Sequence, residues 1–250
     1  MSTEAAPGRV WPAGVDRVVL AESDSTMAEA ARRAPDRPTW ILALRQTAGR
    51  GRRGRVWIDP AGNFAATLAL PLAAPAPEAA LYSFVAALAL RDALATWAAP
   101  ERLALKWPND VLLDGGKVSG ILLESAGQGG AVTRLAIGIG VNLRTAPPAE
   151  GHQVPPVSLA QATGAEVAPE AFLDRLAPAF ADHQARFTAE GFAPIRTEWL
   201  AHAARLGQRV TARTTRETLL GVFETLDPTG ALVLATAEGR RCIPAGEVFF

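Results

Sequence analysis

The chain has 250 residues, enough for one large and one small domain. Its 25 basic and 25 acidic residues balance, which argues against a dedicated nucleic-acid-binding protein, since such proteins usually carry a basic excess. The single cysteine excludes an internal disulfide, and none of the three histidines has a cysteine or carboxylate at metal-ligand spacing. We find neither a signal peptide nor an unbroken apolar run of about 18 residues. The composition therefore predicts a cytoplasmic globular protein with a metal-free scaffold.

The first part of the chain alternates predicted helices and strands. A helix is expected over residues 26–33, where Thr26 and Glu29 fit a capping box and Pro35 stops the helix. A second helix, over residues 81–98, is apolar on nearly all sides and should lie at the centre of the core. Residues 71–77 contain three prolines and are predicted to form a loop. Strands are predicted over residues 18–21, 40–44, 63–70, 103–107, 111–113, 117–124 and 135–143.

The pattern changes in the last part of the chain. A proline-rich loop over residues 144–157 precedes two predicted helices, over residues 169–187 and 192–204. Beyond Leu206, short strands alternate with turns, which is typical of a small β-barrel. These strands are predicted over residues 209–213, 219–226, 231–235 and 241–244.

The most unusual segment is Gly49-Arg-Gly-Arg-Arg-Gly-Arg55, which we call the arginine loop. Its glycines let the backbone approach a ligand closely, and its arginines suit phosphate or carboxylate groups. A disordered RNA-binding tract and a solvated turn are the alternatives. Because the segment is single, short and flanked by predicted core strands, an anion-binding loop in a folded site fits better. We further expect the loop to be mobile without ligand, since its four like charges repel one another.

Polar residues also follow several predicted strands. Lys106-Trp-Pro-Asn-Asp110 ends one strand, and Lys117 begins another. The strand Ile137-Gly-Ile-Gly-Val-Asn142 carries two glycines, which often mark the close approach of a ligand or another backbone. Asn109 and Asp110 could equally cap a turn, and Lys117 could protect the edge of a sheet. Each of these signals is weak when taken alone.

Together, these segments resemble the biotin–protein ligases, the biotin–[acetyl-CoA-carboxylase] ligase family. The matching segments, in the family's order, are Asp24-Ser-Thr, Gln46 with the arginine loop, Lys106-Trp-Pro-Asn-Asp110, Lys117-Val-Ser-Gly-Ile-Leu-Leu-Glu124 and Gly138-Ile-Gly-Val-Asn-Leu143. The C-terminal segment, which ends in Gly246-Glu-Val and two phenylalanines, also fits. Met27 stands where the family often has Asn. The first motif begins at Asp24, so we expect the monofunctional type, without an N-terminal DNA-binding domain.

The resemblance implies an α+β fold. Residues 1–204 would form a mixed-sheet catalytic domain of the biotin/lipoate ligase type, similar to class II aminoacyl-tRNA synthetases. Residues 205–250 would form a small SH3-like β-barrel. The implied reaction has two steps. Biotin and ATP, with Mg²⁺, give biotinyl-5′-adenylate, and a lysine of a biotin carboxyl carrier protein then takes the biotinyl group.

The motif match also assigns site residues. The implied catalytic residues are Arg52, Lys117 and Asp110. The implied biotin-binding residues are Ser25, Thr26, Met27, Gln46, Arg50, Gly51, Arg52, Lys117, Gly120 and Leu122. The implied ATP- and adenylate-binding residues are Arg50, Arg52, Arg53, Arg55, Trp57, Lys106, Asn109, Lys117 and Asn142. Trp57 would stack on adenine, unless it is an ordinary core tryptophan, and Asp110 would orient or deprotonate the acceptor lysine. The magnesium ligands stay unassigned.

Three other functions compete with this interpretation. A lipoate/octanoate–protein ligase would use the same chemistry on another acid, but the arginine loop and the C-terminal barrel favour biotin. An RNA-binding protein fits poorly with zero net charge and a single tyrosine. A biotin-binding module without activity is disfavoured by the presence of Arg52 and Lys117. An exposed sheet edge is compatible with a homodimer, and the implied acceptor belongs to acetyl-CoA carboxylase or a related carboxylase.

Overall fold

The computed structural model describes residues 10–58, 60–150 and 153–250, which form two sheets and five α-helices. The strands of the first sheet are β1 (Asp16–Leu20), β2 (Thr39–Ala43), β3 (Phe64–Pro75), β4 (Leu103–Lys106), β5 (Asp110–Leu113), β6 (Gly116–Gln128) and β7 (Ala131–Val141). Those of the second are β8 (Arg209–Arg213), β9 (Thr218–Leu226), β10 (Leu232–Thr236), β11 (Gly239–Ile243) and β12 (Glu247–Phe249). The helices are α1 (Thr26–Arg33), α2 (Ala76–Leu94), α3 (Leu159–Thr163), α4 (Pro169–Glu190) and α5 (Phe192–Ala201).

The first sheet has seven strands in the order β1-β2-β3-β7-β6-β5-β4. Its β1 and β2 run parallel because α1 connects them, while the other neighbours are antiparallel. The second sheet has five antiparallel strands in the order β11-β10-β9-β8-β12. This architecture confirms the predicted mixed α+β class.

The two faces of the first sheet differ because successive side chains of a strand point to opposite sides. One face packs against α2 and α4, where Trp40 of β2 meets Phe180 edge-on at 5.9 Å between ring centroids, and α5 packs on these two helices. On the other face, Ile41 and Ala69 pack against Ala30 of α1. The short α1 covers only part of this second face, so the rest is available for a cavity.

The second sheet is attached to the first by specific contacts. The Trp107 indole N–H donates to the Gly230 carbonyl at 3.1 Å. A Cβ on Gly230 would lie 2.7 Å from the Phe84 ring of α2, so the turn before β10 packs tightly on the helical core. The Leu105 N–H also donates to the His202 carbonyl at 2.8 Å, beyond α5. These contacts hold the turn before β10 and the segment after α5 against the first sheet and its helices.

The predicted loop over residues 71–77 is wrong. The strand β3 continues to Pro75, and α2 begins at Ala76. The register between β3 and β7 shifts between Pro71 and Ala74, and such an irregularity accommodates proline, which cannot donate to the ladder. Pro77 lies in the first turn of α2, where its missing N–H would have no helical partner. The prolines therefore mark an irregular strand and a helix start.

The predicted capping box in α1 is also wrong. Ser25 is the N-cap, and its side chain forms no capping hydrogen bond. The Thr26 hydroxyl donates to Gln46 Oε1 at 3.2 Å, and the Glu29 carboxylate pairs with the arginines three and four residues later. The side chain of Thr26 thus points into the site and is not free to cap.

Several elements were missed or misjudged in length. The helix α3 begins with a capping box formed by Ser158 and Gln161. The strand β12 was not predicted, and the β6–β7 hairpin extends to Gln128 and Ala131. The helices α2 and α5 end before their predicted ends, at Leu94 and Ala201.

The fold brings carboxylates to a histidine that sequence spacing left isolated. Ligand atoms of Asp92, His183 and Glu198 lie within 4.8 Å of one another. The cluster has its own cation, however, because Arg186 pairs with Glu198 and its Nη2 lies 3.4 Å from His183 Nδ1. It therefore forms a charged network that links α2, α4 and α5.

None of the described helices is long and apolar enough to cross a membrane.

Candidate active site

The face of the first sheet opposite α2 carries a cavity of about 570 Å³. Its floor comes from β6 and β7, where Gly120 is paired with Gly140 and Leu122 with Gly138. Paired residues point to the same side, so three glycines and one leucine open onto the cavity together. The walls come from the start of α1, the arginine loop, the ends of β4 and β5, and the second sheet.

The glycines of the floor make room for two large side chains. A Cβ on Gly140 would lie 2.3 Å from Trp57 Cε2, and a Cβ on Gly138 would lie 2.7 Å from Met27 Sδ. Both distances are shorter than any ordinary carbon contact, so only glycine allows these side chains to lie on the sheet. The Trp57 ring therefore lies on the cavity floor and not in the helical core.

The start of α1 presents polar groups to the cavity. Gln46 Oε1 accepts hydrogen bonds from the Thr26 N–H at 2.9 Å and the Thr26 hydroxyl at 3.2 Å. Ser25 is 3% exposed, and among the described residues its hydroxyl has no hydrogen-bond partner. A buried hydroxyl without a partner is costly, so this group is positioned for a polar ligand.

Asp24 connects two parts of the site, a role to which the motif match did not point. Its Oδ1 accepts the Ser25 N–H at 2.7 Å and bonds to the Arg32 guanidinium, which holds the pKa of Asp24 well below its usual range. Its carbonyl accepts the Ala48 N–H at 2.8 Å. Asp24 thus joins the start of α1 to the start of the arginine loop and stays ionised at neutral pH.

Backbone hydrogen bonds shape the arginine loop. The Gly51 N–H donates to the Arg55 carbonyl at 2.7 Å, around a short 3-10 turn at Arg52–Gly54. Arg53 and Gly54 have consecutive positive φ angles of 57° and 72°. Glycine adopts this conformation without strain, which explains the Arg-Gly step. Whether the loop is mobile without ligand stays a prediction.

Two arginines of the loop bind to the first sheet. Arg52 Nη1 donates to Asn109 Oδ1 at 3.0 Å. Burial lowers the pKa of the Arg52 guanidinium, although the charge of Asp110 opposes this shift. Asn109 Nδ2 in turn donates to the Ile121 carbonyl at 2.5 Å. Arg50 Nη2 lies 3.5 Å from Glu124 Oε2. Asn109 therefore does more than cap a turn, because it connects Arg52 to the cavity floor.

The two other arginines of the loop pair with the second sheet. Arg53 and Arg55 lie 3.4 and 3.0 Å from Oε1 of Glu247 on β12. Arg55 lines the cavity, whereas Arg53 does not and is exposed. Glu247 therefore acts as a bridge between the small sheet and the arginine loop.

The chain has only two lysines, Lys106 and Lys117, and both line the cavity. They share one carboxylate: Asp110 Oδ1 is 2.7 Å from Lys117 Nζ, and Asp110 Oδ2 is 3.7 Å from Lys106 Nζ. Burial lowers the pKa of Lys106, although the charge of Asp110 opposes this shift. Asp110 is itself largely buried, so the three groups form one charged cluster at the end of β4.

Lys117 does not protect a sheet edge, so that alternative is wrong. It pairs with Leu112 of β5 on one side and bridges to Pro156 on the other. Asn142 Nδ2 supports this arrangement by donating to the carbonyls of Lys117 at 3.4 Å and Val157 at 3.2 Å. The lysine thus projects from a rigid, fully paired backbone.

The structure brings every predicted site residue except Arg53 to one cavity. Sequence reasoning missed two groups of lining residues. The first lies in the proline-rich loop and comprises Pro147, Gln153, Val154 and Pro156. The second lies on the small sheet and comprises Arg213, Glu247 and Phe249. Only Glu247 had a signal, the Gly-Glu-Val ending that fits the family resemblance.

Glu247→Gln is expected to loosen the arginine loop. Two partly exposed ion pairs of about 0.2–1 kcal/mol each would be lost, so trypsin should cut the loop about 2- to 30-fold faster. Cleavage sites are mapped by mass spectrometry. The matched control is Glu238→Gln, which removes an exposed carboxylate from the turn between β10 and β11 that does not line the cavity. Equal cleavage rates for both variants would show that Glu247 does not restrain the loop.

Comparison with known proteins agrees with this geometry. Residues 20–142 match the biotin/lipoate A/B protein ligase family, and residues 206–250 match the biotin protein ligase C-terminal domain. The chain is 57% identical over 238 residues to the biotin–[acetyl-CoA-carboxylase] ligase of Paracoccus denitrificans, covering 93% of this chain and 99% of that protein. It is 32% identical over 234 residues to the bifunctional ligase/repressor BirA of Bacillus subtilis, covering 92% and 71%.

Solved structures support the same relationship. The biotin protein ligase from Aquifex aeolicus in complex with biotin and ATP superimposes with a TM-score of 0.79 at 26% identity, covering 93% of this chain and 97% of that one. The chain thus shares its fold with ligases of known activity. This fold carries the glycine floor, the arginine loop and the two lysines that share Asp110. The chain belongs to the biotin protein ligase family.

Proposed function

We propose that this chain activates biotin with ATP to biotinyl-5′-AMP and transfers the biotinyl group to a lysine of a biotin carboxyl carrier protein or domain. The observation that carries the proposal is the single cavity in which Arg50, Arg52 and Lys117 meet the buried Ser25 hydroxyl. Cations for two anionic reactants and a polar pocket for an uncharged head group are what this reaction needs. The family relationship supports the same activity.

The cations answer an electrostatic problem. Biotin's carboxylate must approach the α-phosphate, and two unit charges about 4 Å apart repel by about 4 kcal/mol at an effective dielectric constant near 20. Arg50, Arg52 and Lys117 line the same cavity and would offset this repulsion. They would also stabilise the charge that develops at phosphorus in the transition state.

Asp110 has two tasks in this scheme. It holds Lys117 at 2.7 Å and so keeps that cation directed into the cavity before ATP binds. In the transfer step it orients the acceptor lysine or accepts its proton, because a protonated amine cannot attack the adenylate. Lys106 lies on the other oxygen of Asp110 and limits the cost of burying the carboxylate.

The polar end of the cavity favours biotin over lipoate. Biotin's ureido ring offers both donors and acceptors, which suit the unpartnered Ser25 hydroxyl and the Thr26–Gln46 pair. Lipoate's dithiolane ring would leave the buried Ser25 hydroxyl unsatisfied. Met27 and Leu122 supply apolar walls for the thioether ring and the tail. The lipoate/octanoate ligase therefore stays the second candidate.

The described cavity residues do not provide a carboxylate cage for magnesium. Asp110 and Glu247 are the carboxylates that line the cavity, and both are already paired with cations. Mg²⁺ typically keeps several waters and binds substrate phosphates, so it would enter with ATP. It would neutralise phosphate charge, while the arginines and lysines bind and orient the reactants.

Trp57→Ala is expected to weaken ATP binding by about 1–3 kcal/mol if the indole stacks on adenine. The ring lies against the glycine floor, and Lys117 Nζ is 5.9 Å from its centroid. Titration calorimetry with Mg·ATP measures the effect. Trp11→Ala is the matched control, since Trp11 lies outside the cavity. An unchanged dissociation constant for Trp57→Ala would refute the stacking role.

The proposal also covers organisation and partners. We divide the chain into a catalytic domain of residues 1–204 and a small domain of residues 205–250, acting in the cytoplasm on a carboxylase carrier without DNA or membrane partners. For a homodimer, β1 is the available edge of the first sheet, because Ala203 bridges to Leu105 at the β4 edge. Light scattering on the purified protein would test the dimer.

The deciding experiment is ATP–pyrophosphate exchange with Mg²⁺ and biotin, lipoate, octanoate or no acid. Exchange that depends on biotin alone is the expected result, followed by labelling of a carrier domain. Exchange with lipoate or octanoate would keep the adenylation chemistry and change the substrate. Failure of the folded protein to exchange with any acid would refute the enzymatic proposal.

A further inference from the structure

Arg213 differs from the other cations of the cavity. Arg50, Arg52, Arg55 and the two lysines each contact a carboxylate or an amide oxygen, as described above. Within the described part of the chain, the Arg213 side chain forms neither an ion pair nor a hydrogen bond, and its guanidinium carbon lies 4.9 Å above the Phe249 ring. Its five N–H donors therefore have no acceptor among the described residues, although the side chain lines the cavity.

Strand register places Arg213 beside the arginine loop. Arg213 on β8 is directly opposite Glu247 on β12, so the two side chains share a face of the small sheet. Glu247 nevertheless directs its carboxylate to Arg53 and Arg55. Phe249 lies two residues further along the same face, and its ring makes a cation–π contact with the guanidinium. Arg213 is thus held in place by an aromatic ring and left free to bind an anion.

We propose that Arg213 binds the β- and γ-phosphates of ATP and the pyrophosphate formed from them. This inference rests on the proposed function. In adenylation, a biotin carboxylate oxygen bonds to the α-phosphorus. The bond from that phosphorus to the bridging oxygen breaks, and the electron pair leaves with pyrophosphate. Arg50, Arg52 and Lys117 serve the reacting centre, whereas Arg213 approaches from the second sheet and serves the leaving group.

The two half-reactions separate this role from others. Biotinyl-AMP contains one phosphate, so transfer to the acceptor lysine does not involve the group that Arg213 binds. If Arg213 instead docked carboxylates of the acceptor protein, its loss would slow transfer and leave adenylation intact. The small sheet would then be a surface for the acceptor and not part of the nucleotide site.

The test compares ATP with AMP. Arg213→Gln should weaken Mg·ATP binding without biotin by roughly tenfold and leave AMP binding unchanged, because AMP lacks the two outer phosphates. Arg213→Lys should recover part of the ATP affinity. The matched control is Arg209→Gln, which removes the same charge from the same strand outside the cavity. Unchanged AMP affinity also shows that the variant is folded.

Single-turnover transfer from preformed biotinyl-AMP to a carrier domain completes the test, and Arg213→Gln should match the unsubstituted protein. Equal losses of ATP and AMP affinity, or unaltered ATP affinity, would overturn the proposal. A slowed transfer with normal ATP binding would also overturn it, in favour of acceptor docking. Because nucleotide binding is measured without biotin, these results are independent of whether biotin is the substrate.

Discussion

Lys117→Ala is expected to lower the rate of biotin adenylation by roughly 100- to 1000-fold, the usual effect of removing a group that stabilises transition-state charge. Lys117 is the second residue of β6, on a backbone that is paired on both sides, and Asp110 already directs its ammonium group into the cavity. Lys106, the other lysine of the chain, cannot take over this role, because it is buried and lies beside Oδ2 of Asp110, whereas Lys117 contacts Oδ1. Biotin-dependent ATP–pyrophosphate exchange measures the effect.

Two variants make this result specific. Lys117→Arg keeps the positive charge and should retain more activity than the alanine variant. Arg134→Ala removes a charge from an exposed position of β7 outside the cavity and should leave exchange unchanged. Near-normal adenylate formation by Lys117→Ala would remove this lysine from the mechanism.

Gly140→Ala is expected to lower adenylation by about 100-fold, although it adds a single methyl group. The new Cβ would lie 2.3 Å from Trp57 Cε2, and its three nearest atoms all belong to the Trp57 ring. The indole must therefore move, and displacement of a positioning group by about 1 Å has an effect of this size. Exchange kinetics at saturating biotin measure the change.

A double-mutant cycle tests the cause. In a Trp57→Ala background the added Cβ meets no ring, so Gly140→Ala should change exchange only slightly further. Both effects would then trace to one contact between the floor and the indole. If Gly140→Ala costs as much without Trp57 as with it, the substitution acts on the sheet and not through the tryptophan.

The local pattern predicted the first sheet well where strands are short and fully buried. The strands β2, β4 and β5 were predicted to within about a residue, because continuous apolar runs bounded by polar residues or proline mark such strands. The pattern failed at β3, where prolines within a bulged strand were taken for a loop. It also missed β12, whose three residues carry too little periodicity to be detected.

The site was predictable as far as local motifs extend. The motifs gave the residues of the floor, the loop and the strand ends, but not their partners. Thr26 appeared to be a helix cap until the fold brought it to Gln46. The sequence contains almost no indication that the small sheet contributes residues to the cavity. Arg213 reaches its position only because β8 pairs with β12, which is distant in the sequence. Which side chains contact each other depends on the tertiary fold, and a single sequence does not show it.

The location of both lysines limits how far the protein can be modified by its own activated product. An acyl-adenylate modifies any free amine that it meets, and the molecule nearest to it is the enzyme that made it. Here both lysines of the chain line the cavity, and each ammonium nitrogen lies within 3.7 Å of a carboxylate oxygen of Asp110. The outer surface thus offers no lysine side chain to intercept an adenylate that leaves the cavity.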